Sequence, residues 1–353
     1  MNKIKVFSLF SGVGGFEIGI DRALGKENIE IVGFCQYEPG ANVQHASNVL
    51  RYRYPNVKNY GDITKIDYNS LPDFDLLVGG PPCTDISIAG KREGLQGDRS
   101  ILFYNYVDIL RIKKPKYFIM ENVASMDDKI CAVINKELGC YPINLNASLV
   151  SAQNRSRYFW TNIPGSESDL FSTNVIGQPK DKNIRMKDII TLDIDDQIHY
   201  DKIVKRGVPD IDGMIQLGSI NDSNAQANRV YSLEGKSVNL TANGGGGGAK
   251  TGLYLTRFKD IYETYPRNYM SMQKYFDMLK DKGVLKDYVR NLYPEEAEAL
   301  MTWECEWTKY GIDDKGEEYE LPKTWRLKLC GNGVVSNVIK HICEGLKNEL
   351  KQE

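Results

Sequence analysis

The first 165 or so residues alternate short apolar, β-rich runs with helix-like stretches, and this limits the fold more than anything else in the chain. Lys5–Phe10, Ile29–Cys35, Phe74–Val78 and Lys116–Met120 read as strands, with helices over Gly15–Gly25, Pro39–Tyr54 and Ile101–Ile112 between them. Such alternation is the pattern of a doubly wound parallel sheet with helices on both faces. From Asn144 to Ile163 it changes to strand, polar loop, strand. An α/β fold is expected, and 353 residues leave room for a second domain.

That second domain is expected to be small and loop-rich. Residues from about 170 to 285 are rich in Asp, Asn, Gly and Lys, lack clear periodicity and contain the run Gly244–Gly248. The glycines read as a flexible loop, a composition that also suits close approach to a ligand backbone. Order returns at Leu329–Val335, followed by an amphipathic helix to about Leu350, and the acidic stretch Asp313–Glu320 reads as a solvated loop.

Composition excludes several classes. No apolar run approaches the length of a membrane span. Met1–Phe10 runs directly into a Gly-rich turn and reads as a strand, not a signal peptide. Seven cysteines, an odd number without a C-x-x-C pair, argue against both a disulfide framework and a zinc site, so a reducing, cytoplasmic compartment is expected. His45, His199 and His341 show no ligand or triad spacing and read as filler, and no metal is expected. The net charge of −2 means that any nucleic-acid surface must be a local basic face.

Gly79-Gly80-Pro81-Pro82-Cys83-Thr84 follows the apolar run Phe74–Val78, so Cys83 sits in a loop at a strand's carboxyl end, where open parallel sheets place reactive groups. The glycines permit close approach and the prolines stiffen the turn. A cysteine used only for packing needs neither, although free Cys is often buried. Phe10-Ser11-Gly12-Val13-Gly14-Gly15 likewise follows strand one and opens a helix. Glu38 ends the second strand, where an acid can hold ribose hydroxyls; Asp62 can accept from an adenine amino group, with Ile63 packing on the ring. The turn is not G-x-G-x-x-G, so a nucleoside without phosphates is favoured, and S-adenosylmethionine fits that description.

Together these motifs resemble the cytosine-C5 DNA methyltransferases. The similarity runs through the Gly-rich loop, Glu38, Gly61-Asp62, Pro82-Cys83, Glu121-Asn122-Val123 and Gln153-Asn154-Arg155-Ser156-Arg157. It resumes at Arg290–Glu296 and ends with Gly331-Asn332-Gly333-Val334-Val335. The wording around Cys83 and at Val150–Gln153 is also similar to phage and vertebrate de novo members. Two departures stand out: Pro-Pro-Cys-Thr in place of Phe-Pro-Cys-Gln, and Pro39 where an aromatic or aliphatic residue is usual.

The resemblance implies a Rossmann-like S-adenosylmethionine-dependent sheet and a target-recognition domain. The catalytic domain would span 1–172 plus 322–353, and the recognition domain 173–321. It implies methyl transfer to C5 of a flipped cytosine in duplex DNA through a covalent Cys83 adduct, leaving S-adenosylhomocysteine. Glu121 would hold or donate the proton at cytosine N3. Arg157 would bind cytosine O2, with Arg155 on the same face at a flanking phosphate, both favouring the thiolate. The cofactor set would be Phe10, Ser11, Gly12, Gly14, Gly15, Glu38, Pro39, Asp62, Ile63, Gly80, Leu102, Asn332, Gly333 and Val334. Duplex DNA is the expected partner, with a cognate restriction endonuclease where the gene belongs to such a system; the host would be a bacterial or phage-infected cell.

Three rivals keep part of this reading. A tRNA cytosine methyltransferase of the same superfamily also carries Pro-Pro-Cys, but usually with a Cys-Phe-Thr tripeptide that this chain lacks. A non-catalytic DNA-binding homologue would lose Cys83 or Glu121. A nicotinamide dehydrogenase would need its own Gly fingerprint.

Overall fold

The computed structural model describes residues 3–82, 100–165, 176–190, 205–206, 213–220, 225–242, 250–256, 274, 277–279, 281–282, 289–348 and 350. Cys83, Thr84, His199 and Gly244–Gly248 lie outside these residues.

Six strands form the main sheet: β1 (Ile4–Leu9), β2 (Ile29–Cys35), β3 (Leu76–Gly79), β4 (Tyr117–Val123), β5 (Ile143–Asn146) and β6 (Ser156–Thr161). Their spatial order is β2-β1-β3-β4-β6-β5. The first four are mutually parallel, and β6 runs antiparallel to both β4 and β5. Alternate residues feed two apolar layers, as a sheet covered on both faces requires. Val6, Leu76, Val78 and Ile119 face one layer, which includes residues of α1 (Gly15–Leu24) and α2 (His45–Arg53). Phe7, Leu77, Phe118 and Met120 face the other, with Phe103 and Tyr106 of α3 (Ser100–Lys113) and Ile134 of α4 (Asp128–Leu138).

Two elements differ from the sequence expectation. α2 starts at His45 instead of Pro39, because Gln44 closes the preceding loop: its side chain accepts from Glu38 N at 2.7 Å and donates to Glu38 O at 2.9 Å. α4 was not expected, yet its signals are local: Asp127 accepts from Lys129 N as N-cap, and Gly139 closes the helix at φ 71°.

A second sheet of five strands comprises β7 (Lys205–Arg206), β8 (Gln216–Ser219), β9 (Arg229–Tyr231), β10 (Leu253–Leu255) and β11 (Val289–Arg290), ordered β11-β10-β9-β8-β7. After it come α5 (Pro294–Leu300), the hairpin β12 (Tyr310–Ile312) and β13 (Glu318–Glu320), α6 (Lys323–Asn332) and α7 (Ser336–Cys343). α7 lies so close on α1 that a Cβ at Gly19 would fall 2.5 Å from Ile339 Cβ and Ser336 O.

Residues 294–321, which the sequence reading groups with the recognition domain, bond to the helices and loops of the large sheet. Trp307 Nε1 donates to Val13 O at 2.8 Å, Arg51 donates to Ile312 O at 2.7 Å, and Ser151 Oγ donates to Leu300 O at 2.6 Å. The acidic stretch Asp313–Glu320 contains one strand of the hairpin, and its Tyr319 hydroxyl lies 2.9 Å from His45 Nδ1 in α2.

Candidate active site

Four parallel strands bring their carboxyl ends to one sheet edge, and the order reverses direction on either side of β1. Crevices at such switch points are where open α/β sheets bind ligands. Leu9 pairs with Cys35 on one side and Gly79 on the other, and Gly79 pairs with Met120. Register alone thus brings Phe10–Gly15, Gln36–Glu38, Gly80–Pro82 and Glu121–Val123 together.

The turn after β1 is held in left-handed backbone, with φ of 53° at Phe10, 58° at Gly12 and 94° at Gly14. Phe10 N donates to Cys35 O at 2.8 Å, Ser11 Oγ to Ser8 O at 2.9 Å, and Gly12 N to Gln36 Oε1 at 2.7 Å. A side chain at Gly12 would meet nothing within 4 Å, so the turn faces open space there. Gly15 is glycine for the opposite reason: its missing Cβ would lie 3.0 Å from both Cγ1 and O of Val334. Ser336 Oγ also donates to Gly15 O at 2.6 Å, which seats the Gly333–Val334 segment against the turn. Asn332 is exposed at the end of α6.

Glu38 is half-buried. One carboxylate oxygen accepts from Ala46 N at 2.9 Å at the start of α2; the other has no hydrogen bond among the described residues. Burial pushes its carboxyl up, against the Ala46 bond and Lys328. Asp62 Oδ1 accepts from the Thr64 amide at 3.0 Å and hydroxyl at 2.8 Å. Burial opposes ionisation of Asp62, but these bonds and Lys65 outweigh it and hold the carboxyl below its ordinary value. Ile63 and Leu102 belong to the same apolar layer, Ile63 buried and Leu102 at its margin; Pro39 is exposed. The open side of Gly12, the free Glu38 oxygen and this apolar wall fit a nucleoside.

The reactive side centres on Glu121. The carboxylate lies within β4 itself, and Glu121 Oε1 accepts from Arg157 Nε at 2.9 Å. Arg157 pairs with Val123 across the β4–β6 ladder, two residues from Glu121 on the same face. The second carboxylate oxygen lies 2.8 Å from where a Cβ of Gly80 would stand. Gly80 thus makes room for a carboxylate, a role the sequence reading assigned to cofactor contact.

Gln36 escaped the sequence reading, and Asn122 entered it only as part of the Glu121-Asn122-Val123 motif, with no role of its own. Asn122 is buried, and its Nδ2 donates to Pro81 O at 3.2 Å, fixing the backbone two residues before Cys83. Gln36 holds the Gly12 amide. Both are buried polar residues at strand ends, and that pattern was the available signal. Cys83 itself lies outside the described residues. Of the six described cysteines, burial pushes Cys35 up to about 12 and raises Cys330 and Cys343, which makes their thiolates unavailable.

Arg155 departs from its expected role. Its side chain is buried, and its terminal nitrogens donate to Asn239 Oδ1, Leu240 O, Gly331 O and Gly333 O. It presents no free guanidinium beside Arg157, because four acceptors from two other segments enclose it. His45 is buried against Tyr319 and Trp325, and His341 bonds to Gly177 O. Among the described residues no three His, Cys, Asp or Glu side chains gather as a metal site needs, and no helix is long and apolar enough to cross a membrane.

Comparison with known proteins agrees with this geometry. The family model described as C-5 cytosine-specific DNA methylase matches residues 4–348. The type II methyltransferase M.HhaI of Haemophilus parahaemolyticus is 29% identical over 297 residues, covering 78% of this chain and 85% of that protein. The orphan methyltransferase M.Rho11sI of Bacillus phage rho11s is 39% identical over 185 residues, but the match spans 49% of this chain and 35% of that enzyme. For M.NgoBV of Neisseria gonorrhoeae the figures are 36% identity over 52% of this chain and 47% of the relative. The chain therefore spans half or less of the length of these last two relatives. Among solved structures, the Entamoeba histolytica methyltransferase EhMeth aligns over 99% of both chains with a TM-score of 0.64, and the S. pombe Dnmt2 methyltransferase with 0.60, each at 16% identity. At that identity the likeness concerns the fold alone. By the extent of the family match, this chain is a member of the C-5 cytosine-specific DNA methylase family.

Proposed function

We propose that this protein transfers a methyl group from S-adenosylmethionine to carbon 5 of a cytosine in duplex DNA. The observation that carries the reading is the Glu121–Arg157 pair against Gly80, beside the Asn122-anchored Pro81-Pro82 that leads into Cys83. The cofactor would supply an electrophilic methyl on a sulfonium, held by the Gly12 turn, Glu38 and Asp62 with Ile63 and Leu102 alongside.

Carbon 5 of cytosine is a weak nucleophile. Bond formation between the Cys83 thiolate and carbon 6 moves the C5–C6 electron pair towards carbon 5, which can then attack the methyl group. Glu121 would hold the proton at N3 as that charge develops, and Arg157 would fix the carboxylate and face the ring's O2. Loss of the carbon 5 proton returns the electron pair, expels Cys83 and restores the aromatic ring; water suffices as that base. A stacked cytosine is out of reach, so the base must leave the duplex. The second domain would then read the sequence through base edges and phosphates. Relatives designated type II and orphan both occur among the matches, and neither designation carries over to this chain.

Bisulfite sequencing of DNA from cells expressing the protein tests this directly. Methylated cytosines should appear at one sequence with wild type and at none with Cys83→Ala. Duplexes carrying 5-fluorocytosine at that site should trap wild type as a denaturant-resistant adduct. Methylation by Cys83→Ala at near wild-type rate would sink the mechanism, and methylated tRNA beside unmethylated DNA would replace the substrate.

A further inference from the structure

We propose that Arg155 is a positioning residue that couples the cofactor turn to the recognition side of the molecule, an inference that rests on the activity proposed above. Arg155 is 4% exposed, and its guanidinium bonds two segments that are remote in sequence. On one side Nη1 donates to Asn239 Oδ1 at 2.9 Å and Leu240 O at 3.0 Å; on the other Nη2 donates to Gly331 O at 3.1 Å and Gly333 O at 2.7 Å. Among the described residues Nε makes no bond, and the terminal nitrogens are directed at these two segments.

Each segment is itself anchored at one end. The 237–240 strip is stitched to the strand-end loop: Ser237 N donates to Ala152 O at 2.6 Å, Asn154 N to Ser237 O at 3.0 Å, and Leu240 N to Gln153 Oε1 at 3.1 Å. It leads in sequence to Gly244–Gly248. The 331–334 strip rests on Gly15 of the cofactor turn through Val334. Between the strips there is no slack: a Cβ at Gly331 would fall 2.3 Å from the Thr241 carbonyl carbon. Movement of either strip must therefore move the guanidinium, and with it the chain two residues before Arg157.

A contact that ties two sites to one rigid group makes each ligand sensitive to the other, and such coupling is reciprocal. Lysine cannot substitute, because a single ammonium lacks the planar fork that reaches both strips. The experiment measures affinity for S-adenosylhomocysteine alone, for a duplex containing the mapped site alone, and for that duplex with S-adenosylhomocysteine saturating. Wild type should bind the duplex about tenfold or more tighter with S-adenosylhomocysteine present. Arg155→Lys should reduce that ratio to below about threefold. Asn239→Ala, which removes one of the two recognition-side bonds and none on the cofactor side, should lower the ratio at least about threefold while leaving affinity for S-adenosylhomocysteine alone within about threefold of wild type. A purely structural role would weaken both ligands and leave the ratio in place. An unchanged ratio in folded Asn239→Ala, or a wild type that binds both ligands independently, overturns the coupling. A wild type that binds no S-adenosylhomocysteine removes the proposed activity and the coupling together.

Discussion

At Gly80 a missing side chain leaves room for the Glu121 carboxylate, the group proposed to act at cytosine N3. Its Cβ would stand 2.8 Å from Glu121 Oε2, the far end of a flexible carboxylate. Gly80→Ala should therefore cost little stability, about 1 kcal/mol or less, because the carboxylate can swing aside. Activity should suffer far more: displacement by about 1 Å lifts Glu121 from Arg157 and from cytosine N3, at a cost of roughly 10- to 100-fold in kcat. Affinity for S-adenosylmethionine should stay close to wild type. Steady-state kinetics with a melting curve checks this, and a variant with normal kcat would show that the Glu121 geometry is not what limits the reaction.

At the scale of one element, α1 carries the cofactor turn at its amino end and a buried carboxyl within its first turn. Glu17 is 1% exposed, and among the described residues neither of its oxygens nor the nearby Ser8 hydroxyl has a hydrogen-bond partner. Burial raises its carboxyl from 4.5 to about 7, with Ser8 opposing the shift. The folded-state value lies above the unfolded one, so this group favours the folded state below about pH 4.5. That contribution is lost as pH rises through about 7, by an amount on the order of 3 kcal/mol. Glu17→Gln keeps the shape but cannot ionise. It should match wild type near pH 5 and exceed it in urea denaturation at pH 8. Parallel stability–pH curves for the two proteins would remove Glu17 as the cause.

The molecule as a whole divides by chemistry. The segment from about 173 to 287 carries none of the motifs assigned to catalysis and is too long for a linker. Residues 294–321, by contrast, are bonded to α2 and to the loop that carries Val13. Exchange of 173–287 for the equivalent segment of a methyltransferase with a known site should transfer the site preference, with Cys83 still required. Because 294–321 stays behind, the chimera retains the Trp307–Val13 and Arg51–Ile312 contacts that brace the cofactor turn. Bisulfite sequencing reads the outcome; an active chimera with the original methylation pattern would place recognition outside that segment.

The sequence by itself determined the elements whose signals are local. β1 to β4 follow from short apolar runs, the turn at Phe10–Gly15 from glycines that tolerate left-handed backbone, and the placement of Glu38 from the end of a strand. Propensity and turn chemistry act over a few residues, so such features are written where they occur. α4 was equally local, with Asp127 and Gly139 as caps and Ile130, Ile134 and Leu138 spaced four apart along one side, so its signals too are written where the helix occurs. Tertiary structure decided the rest. Arg155 and Arg157 look equivalent along an extended segment, yet one pairs with Glu121 and the other is enclosed by acceptors 84 to 178 residues away. Trp307 reaches Val13 across 294 residues, and Gly80 faces Glu121 only because β3 and β4 share a register. Hydrogen-bond partners at that separation are chosen by which surfaces meet when the sheet and its helices pack, and no window of sequence contains both sides of that choice.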